Sequence, residues 1–164
     1  MKGLACRKSR PEIINNVITG NSADSMGSGL HFEKDGDAIV RNTIVLENGS
    51  GSGYEISIVD AKPVFSYCDV PDKIAGKGNI HTEPYFRNPG KENYYLMSIA
   101  CGDSLDSPCI DSGDPKIEDI NMGCDSGLGN SRSDMGAYGG YGGNIVKYHE
   151  KTSIKQFGKG ADGY

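Results

Sequence analysis

The chain has 164 residues, with 22 acidic and 17 basic side chains giving a formal net charge of −5, and it carries 24 glycines. The acidic balance argues against a nucleic-acid partner, which needs a basic stripe to displace counterions, and no apolar run approaches the ~20 residues of a membrane span. An apolar fraction of 36% without Trp argues against a large globular core, and 7 prolines with no Gly-X-Y period exclude collagen. Dense glycine among clusters of Ile, Val and Tyr instead predicts many tight turns between short strands.

The first predicted elements recur. Gly3-Leu4-Ala5-Cys6 returns as Gly29-Leu30-His31-Phe32 and again as Gly53-Tyr54-Glu55-Ile56, at spacings of 26 and 24. A second landmark runs from Pro11 to Ile18, returns from Asp37 to Ile44 at the first of those spacings, and continues as Lys62-Pro63-Val64-Phe65-Ser66 at nearly the same interval. Two landmarks with one period indicate stacked repeats. A leucine-rich repeat is disfavoured, because its Leu/Asn framework and any helical periodicity are absent. Alternation within each unit points Leu4, Cys6, Leu30, Phe32, Tyr54 and Ile56 inward, and Ala5, His31 and Glu55 outward. Ile13, Ile39 and Val64 would form another inward column, as would Ile18 and Ile44. Ile14, Val40 and Phe65 would then form an outward apolar ridge covered by a later segment. Asn16 and Asn42 fall at equivalent turn positions, where stacked amides can bond to one another as a ladder. The expected fold is an all-β, right-handed parallel β-helix of about two to three coils with an irregular C-terminal cap. The coils span 1–70, the capping segment 71–140, and a tail, expected to be disordered, 141–164.

The capping segment carries four blocks in order: Asn79-Ile80 with Pro84-Tyr85-Phe86, then Tyr94-Tyr95-Leu96, then Ser107-Pro108-Cys109-Ile110-Asp111-Ser112-Gly113-Asp114-Pro115, and finally Asp134-Met135-Gly136-Ala137-Tyr138. Residues 79–140 resemble the closing segment of secreted bacterial right-handed β-helix proteins of the "choice-of-anchor" type, and the upstream repeats resemble that family's coils. The resemblance implies an extracellular or cell-surface location. The chain departs from the family's usual pattern in having few coils, no leader in Met1–Lys8, and no recognisable anchor after the Gly-Ala-Tyr block. The resemblance also implies a Cys101–Cys124 disulfide in an exported protein, because the two cysteine-bearing blocks look like additions that travel together. Tyr85, Phe86, Tyr94, Tyr95 and Leu96 suit the covering of the last coil. The first coil has no such cover, so self-association through that end is expected.

Candidate chemistry is sparse. Asp111, Asp114, Asp125 and Asp134 cluster in the cap, and clustered carboxylates can take Ca²⁺. Beside Gly and Pro they more simply stabilise turns, so no cofactor is expected and calcium is the metal to test. His31 and Glu55 on the outward column are the candidate sugar-contacting pair, against an ordinary solvated face. One titratable group per coil does not supply the paired acids of glycoside hydrolysis. Cys6 reads as a small buried apolar residue, and Asn48-Gly49-Ser50 fits a glycosylation sequon. The expected function is that of a non-enzymatic structural or adhesive segment presenting a face to a polysaccharide or surface protein. The alternative is a fragment of a polysaccharide lyase or glycoside hydrolase whose catalytic coils lie elsewhere.

Overall fold

Short runs of Ile, Val, Phe and Leu, punctuated by Gly, Asn and Asp, fold as strands of two to four residues in a computed structural model. The structure describes residues 3–24, 27–50, 54–71, 73–120, 122–124 and 129–140. The strands are β1 (Leu4–Arg7), β2 (Glu12–Ile14), β3 (Val17–Ile18), β4 (Ser22–Ala23), β5 (Leu30–Glu33) and β6 (Ile39–Arg41). They continue as β7 (Ile44–Val45), β8 (Gly49–Ser50), β9 (Ile56–Val59), β10 (Val64–Ser66), β11 (Phe86–Asn88) and β12 (Asn93–Leu96). Pro89–Lys91 and Ile99–Cys101 are 3₁₀ turns, and no α-helix occurs among the described residues. The protein is all-β, and the strands from β1 to β10 form small parallel sheets.

The chain returns to each sheet in the same order: β1-β5-β9, β2-β6-β10, β3-β7 and β4-β8. Leu4 lies opposite Leu30 and Leu30 opposite Ile56, so the first sheet repeats at a constant interval. The second sheet departs from it. Glu12 lies opposite Ile39, one position later than that interval, and Ile39 lies opposite Val64, one position earlier. The cause is one extra residue in the β5–β6 connection (34–38) relative to the β1–β2 and β9–β10 connections (8–11 and 60–63). Lys8, Lys34 and Asp60 each take a left-handed conformation after their strand, and Asp35 takes a second one that absorbs the insertion.

A one-residue shift moves every side chain in a strand to the opposite face, and this corrects the expected columns. The inward column is Ile13–Val40–Phe65, whose members are 6%, 0% and 4% exposed. Ile39 and Val64, expected inward, face outward and are 40% and 60% exposed. Val40 and Phe65 are therefore no exposed ridge. Ile18 pairs with Val45, while Ile44 pairs with Val17. Tyr54 precedes β9 and is exposed, and Ile56 takes the place beneath Leu30.

The main core lies between the first two sheets, where Phe32 meets Phe65 edge-on with ring centroids 5.9 Å apart. Fully burying side chains such as Leu30, Phe32 and Val40 contributes about 1.5–3 kcal/mol each. Cys6 and Cys68 are buried free thiols within this core, and burial pushes Cys68 up to about 11.

The C-terminal stretch is built differently. β11 and β12 form an antiparallel hairpin around Pro89–Lys91. Leu96 and Phe86 join Cys109, Ile110 and Met135 against Val17, Ile44 and Tyr67, on the flank of the parallel sheets. Cys101 and Cys124 form a disulfide with Cα atoms 5.6 Å apart. Arg87 braces it, donating from Nε to Asp103 at 2.8 Å and from Nη1 to the Cys124 carbonyl at 2.8 Å.

Two asparagines dock this stretch. Asn15 and Asn42 occupy the left-handed turn after β2 and β6, with Tyr67 as the counterpart after β10. The fully buried Asn42 amide donates to Ser133 Oγ at 3.0 Å, and its Oδ1 accepts from Asp114 N–H at 2.7 Å. Asn15 Nδ2 reaches the carbonyls of Asp134 and Gly136 at 3.2 and 3.3 Å. Gly113 is required at this junction, since a Cβ there would meet the Ser133 carbonyl and the Asn42 amide. The expected Asn16–Asn42 ladder is thus replaced. Asn16 bonds locally to the Ile14 carbonyl, and Asn42 serves the later segment. The paired amides are Asn21 and Asn48, bonded Nδ2 to Oδ1 at 3.0 Å.

Candidate functional site

The outer face of β2-β6-β10 carries the rows Glu12–Ile39–Val64 and Ile14–Arg41–Ser66. Beside it, Asp114–Pro115–Lys116 and Lys77 line an open groove of roughly 340 Å³ together with Ile39, Arg41, Ser66 and Tyr67. Lys77 comes to β10 because its carbonyl accepts the Tyr67 N–H at 2.8 Å and it bridges Ser66 in parallel. The turn that follows needs glycine: Gly78 is left-handed, and a Cβ there would overlap the Tyr67 ring. Lys77 Nζ and the Arg132 guanidinium lie 5.8 and 6.0 Å from the centre of that ring, within cation–π range.

Arg41 sits at the groove's base. Its two ion pairs, to Glu12 at 3.7 Å and Asp114 at 3.9 Å, both exceed hydrogen-bond length. Its Nε is buried without an acceptor among the described residues. Three cationic side chains, Arg41, Lys77 and Lys116, thus line the groove against one carboxylate, Asp114. The chain's net charge has the opposite sign.

A second depression, of roughly 330 Å³, has the reverse character and is lined by Glu55, Asp69, His81 and Glu83 among others. Burial raises the Glu55 carboxyl above its ordinary range, opposed by a hydrogen bond from Asn48. Burial likewise raises Asp69. Asp69 is engaged, however: Oδ1 accepts the Thr82 N–H at 3.1 Å, and Oδ2 receives Thr82 Oγ1 at 3.3 Å and Cys109 Sγ at 3.5 Å. The buried Cys109 thiol is pushed far up by desolvation and by Asp69, which disfavours its thiolate form.

No family model, curated protein or solved structure matches this chain.

The residues singled out in the sequence do not converge on one place. The register sets Ser57, not Glu55, opposite His31, whose nearest carboxylate is Glu33 at 4.0 Å. Asp111, Asp114 and Asp134 are each engaged by backbone N–H groups. Asp111 accepts from Asn130 N–H and Nδ2, Asp114 Oδ1 from Lys116 N–H, and Asp134 Oδ1 from Asp111 N–H. Among the described residues no group of three or more His, Cys, Asp or Glu is arranged to hold a metal ion. Asp125 and the tail 141–164 lie outside the described residues. Asn48 of the sequon is itself buried, with its amide bonded to the Ile18 and Leu46 carbonyls and to Asn21, so a glycan has no access to that amide. Arg41, Lys77 and Lys116 were not visible as a set, because each stands more than one full repeat from the next in sequence.

Proposed function

We propose that this chain is a non-enzymatic segment of a right-handed parallel β-helix in a secreted or cell-surface protein, of the "choice-of-anchor" type, and that it binds glycans on an outer face. The architecture is supported by the identical order in which the chain revisits its parallel sheets at a nearly constant interval. The single observation that carries the functional reading is the open groove along the outward rows of β6 and β10, lined also by Lys77 and Asp114–Lys116. A shallow trough beside exposed Ile39 and Val64 suits a chain of sugar rings, whose C–H faces are apolar and whose edges are polar. The reading includes self-association through β1, where Leu4 is 43% exposed.

In the second depression both oxygens of Asp69 are already bonded, which supports the non-enzymatic reading, and Glu55 and Glu83 are the carboxyl groups on which the enzyme reading would rest. A glycan array run beside a lyase and hydrolase screen tests the proposal. Retention of at least one glycan class without turnover is expected. Cleavage of any polysaccharide by this chain would replace the proposal with the carbohydrate-active enzyme reading, and binding of no glycan would remove it.

A further inference from the structure

Resting on the glycan-binding reading, we infer that the groove between β10, Lys77 and Lys116 selects anionic glycans, those bearing a carboxylate on successive sugar units. Arg41 is the anchor. Its guanidinium is fixed on β6 between Glu12 and Asp114, yet both pairs are too long to be hydrogen bonds, so its donors have capacity for an incoming carboxylate. A planar carboxylate matches the guanidinium fork in a way a hydroxyl does not. Lys77 and Lys116, both exposed, line the same groove as this anchor and offer point charges to neighbouring units of the same ligand. Lys116 is held at the rim because its N–H is bonded to Asp114 Oδ1 at 3.0 Å. The Asp114 backbone is itself held by the buried Asn42, whose Oδ1 accepts its N–H at 2.7 Å.

Charge decides between ligand classes. A neutral sugar entering the groove would leave three cations against two carboxylates, Asp114 in the lining and Glu12 beside Arg41, whereas an anionic one brings further acceptors. A shallow open groove also makes the attraction dependent on salt, because its charges are screened beyond about 10 Å at 0.1 M.

The test is titration calorimetry of the whole chain with galacturonate oligomers, neutral galactose oligomers of equal length, and poly-glutamate, at low and moderate salt. The galacturonate oligomer is expected to bind at least about tenfold more tightly than the neutral one. Lys77→Gln/Lys116→Gln, which alters two exposed side chains, should weaken it about tenfold with only a small fall in the melting temperature from the lost Lys77–Tyr67 contact, and Arg41→Gln should weaken binding at least as much. Equal binding of neutral and acidic oligomers, unaffected by the lysine variant, overturns the anionic preference and leaves glycan binding intact. Poly-glutamate binding as tightly as galacturonate overturns the sugar class in favour of an acidic peptide. Silence toward both oligomers overturns this inference, and silence across the glycan array overturns the underlying reading as well.

Discussion

The parallel strands and the stretch that docks against them are held by different forces. Between β1 and β10 the interior is a set of apolar columns, with Leu30, Phe32, Val40 and Phe65 almost wholly out of water. The docked stretch between Asp111 and Gly136 buries fewer apolar groups and relies on amides, hydroxyls and carboxylates, including Asn42, Ser133 and Asp134. Apolar columns tolerate changes of pH and depend on register. Polar junctions have the opposite sensitivities, since each buried group needs its partner in the right protonation state.

The largest effect is expected where register is broken. Val40→Asp places a charge in the core and should cost more than about 4 kcal/mol, enough to abolish a cooperative melt. Ile39→Asp, one residue away on the outer face, should cost about 1 kcal/mol or less. Denaturant unfolding of the two variants separates the faces, and the reverse order would mean that the strand is turned over.

A smaller effect sharpens the other half of the comparison. Asp134 is 2% exposed, and its Oδ2 has no hydrogen-bond partner among the described residues. Desolvation, with further repulsion from the Asp119 and Asp111 carboxylates, pushes its pKa up to about 7. The folded state therefore holds a proton that the unfolded chain releases near pH 4. Stability should fall as pH rises from about 4 to about 7 and stay at that lower level above it. Asp134→Asn keeps the Oδ1 acceptor for Asp111 N–H and removes the charge. It should gain about 2 kcal/mol at pH 8, roughly half of the ~4 kcal/mol that the whole pKa change represents, and almost nothing at pH 4. Melting curves across that range check both ends.

The period was legible in the sequence because Leu4 and Leu30 begin strands at the same point in successive units, and their pairing follows directly. The register of β6 was not, because the extra residue in the Lys34–Ala38 connection looks like any other turn until its backbone is seen to take two left-handed residues in succession. That residue decides whether Ile39 or Val40 is buried. The asparagines show the same division. Asn16 and Asn42 align by sequence spacing, but Asn15 and Asn42 share the left-handed turn, and the amide pair is Asn21–Asn48. The groove was least legible of all. Arg41 belongs to β6, Lys77 to the return after Tyr67, and Lys116 to a docked loop, so their convergence is a property of tertiary packing.

Residue-resolved amide hydrogen exchange at pH 5 and pH 8, corrected for intrinsic rates, tests the contrast most directly. The amides of Ile39 and Val64, bonded to Pro11 and Ala38 carbonyls, should lose the less protection between the two pH values. Those of Gly113, Met135 and Gly136, bonded to Ser133, Cys109 and Asn42 carbonyls, should lose protection at pH 8 as Asp134 ionises. Equal loss in both groups, or loss confined to the parallel strands, would contradict the division between an apolar stack and a polar, proton-dependent dock.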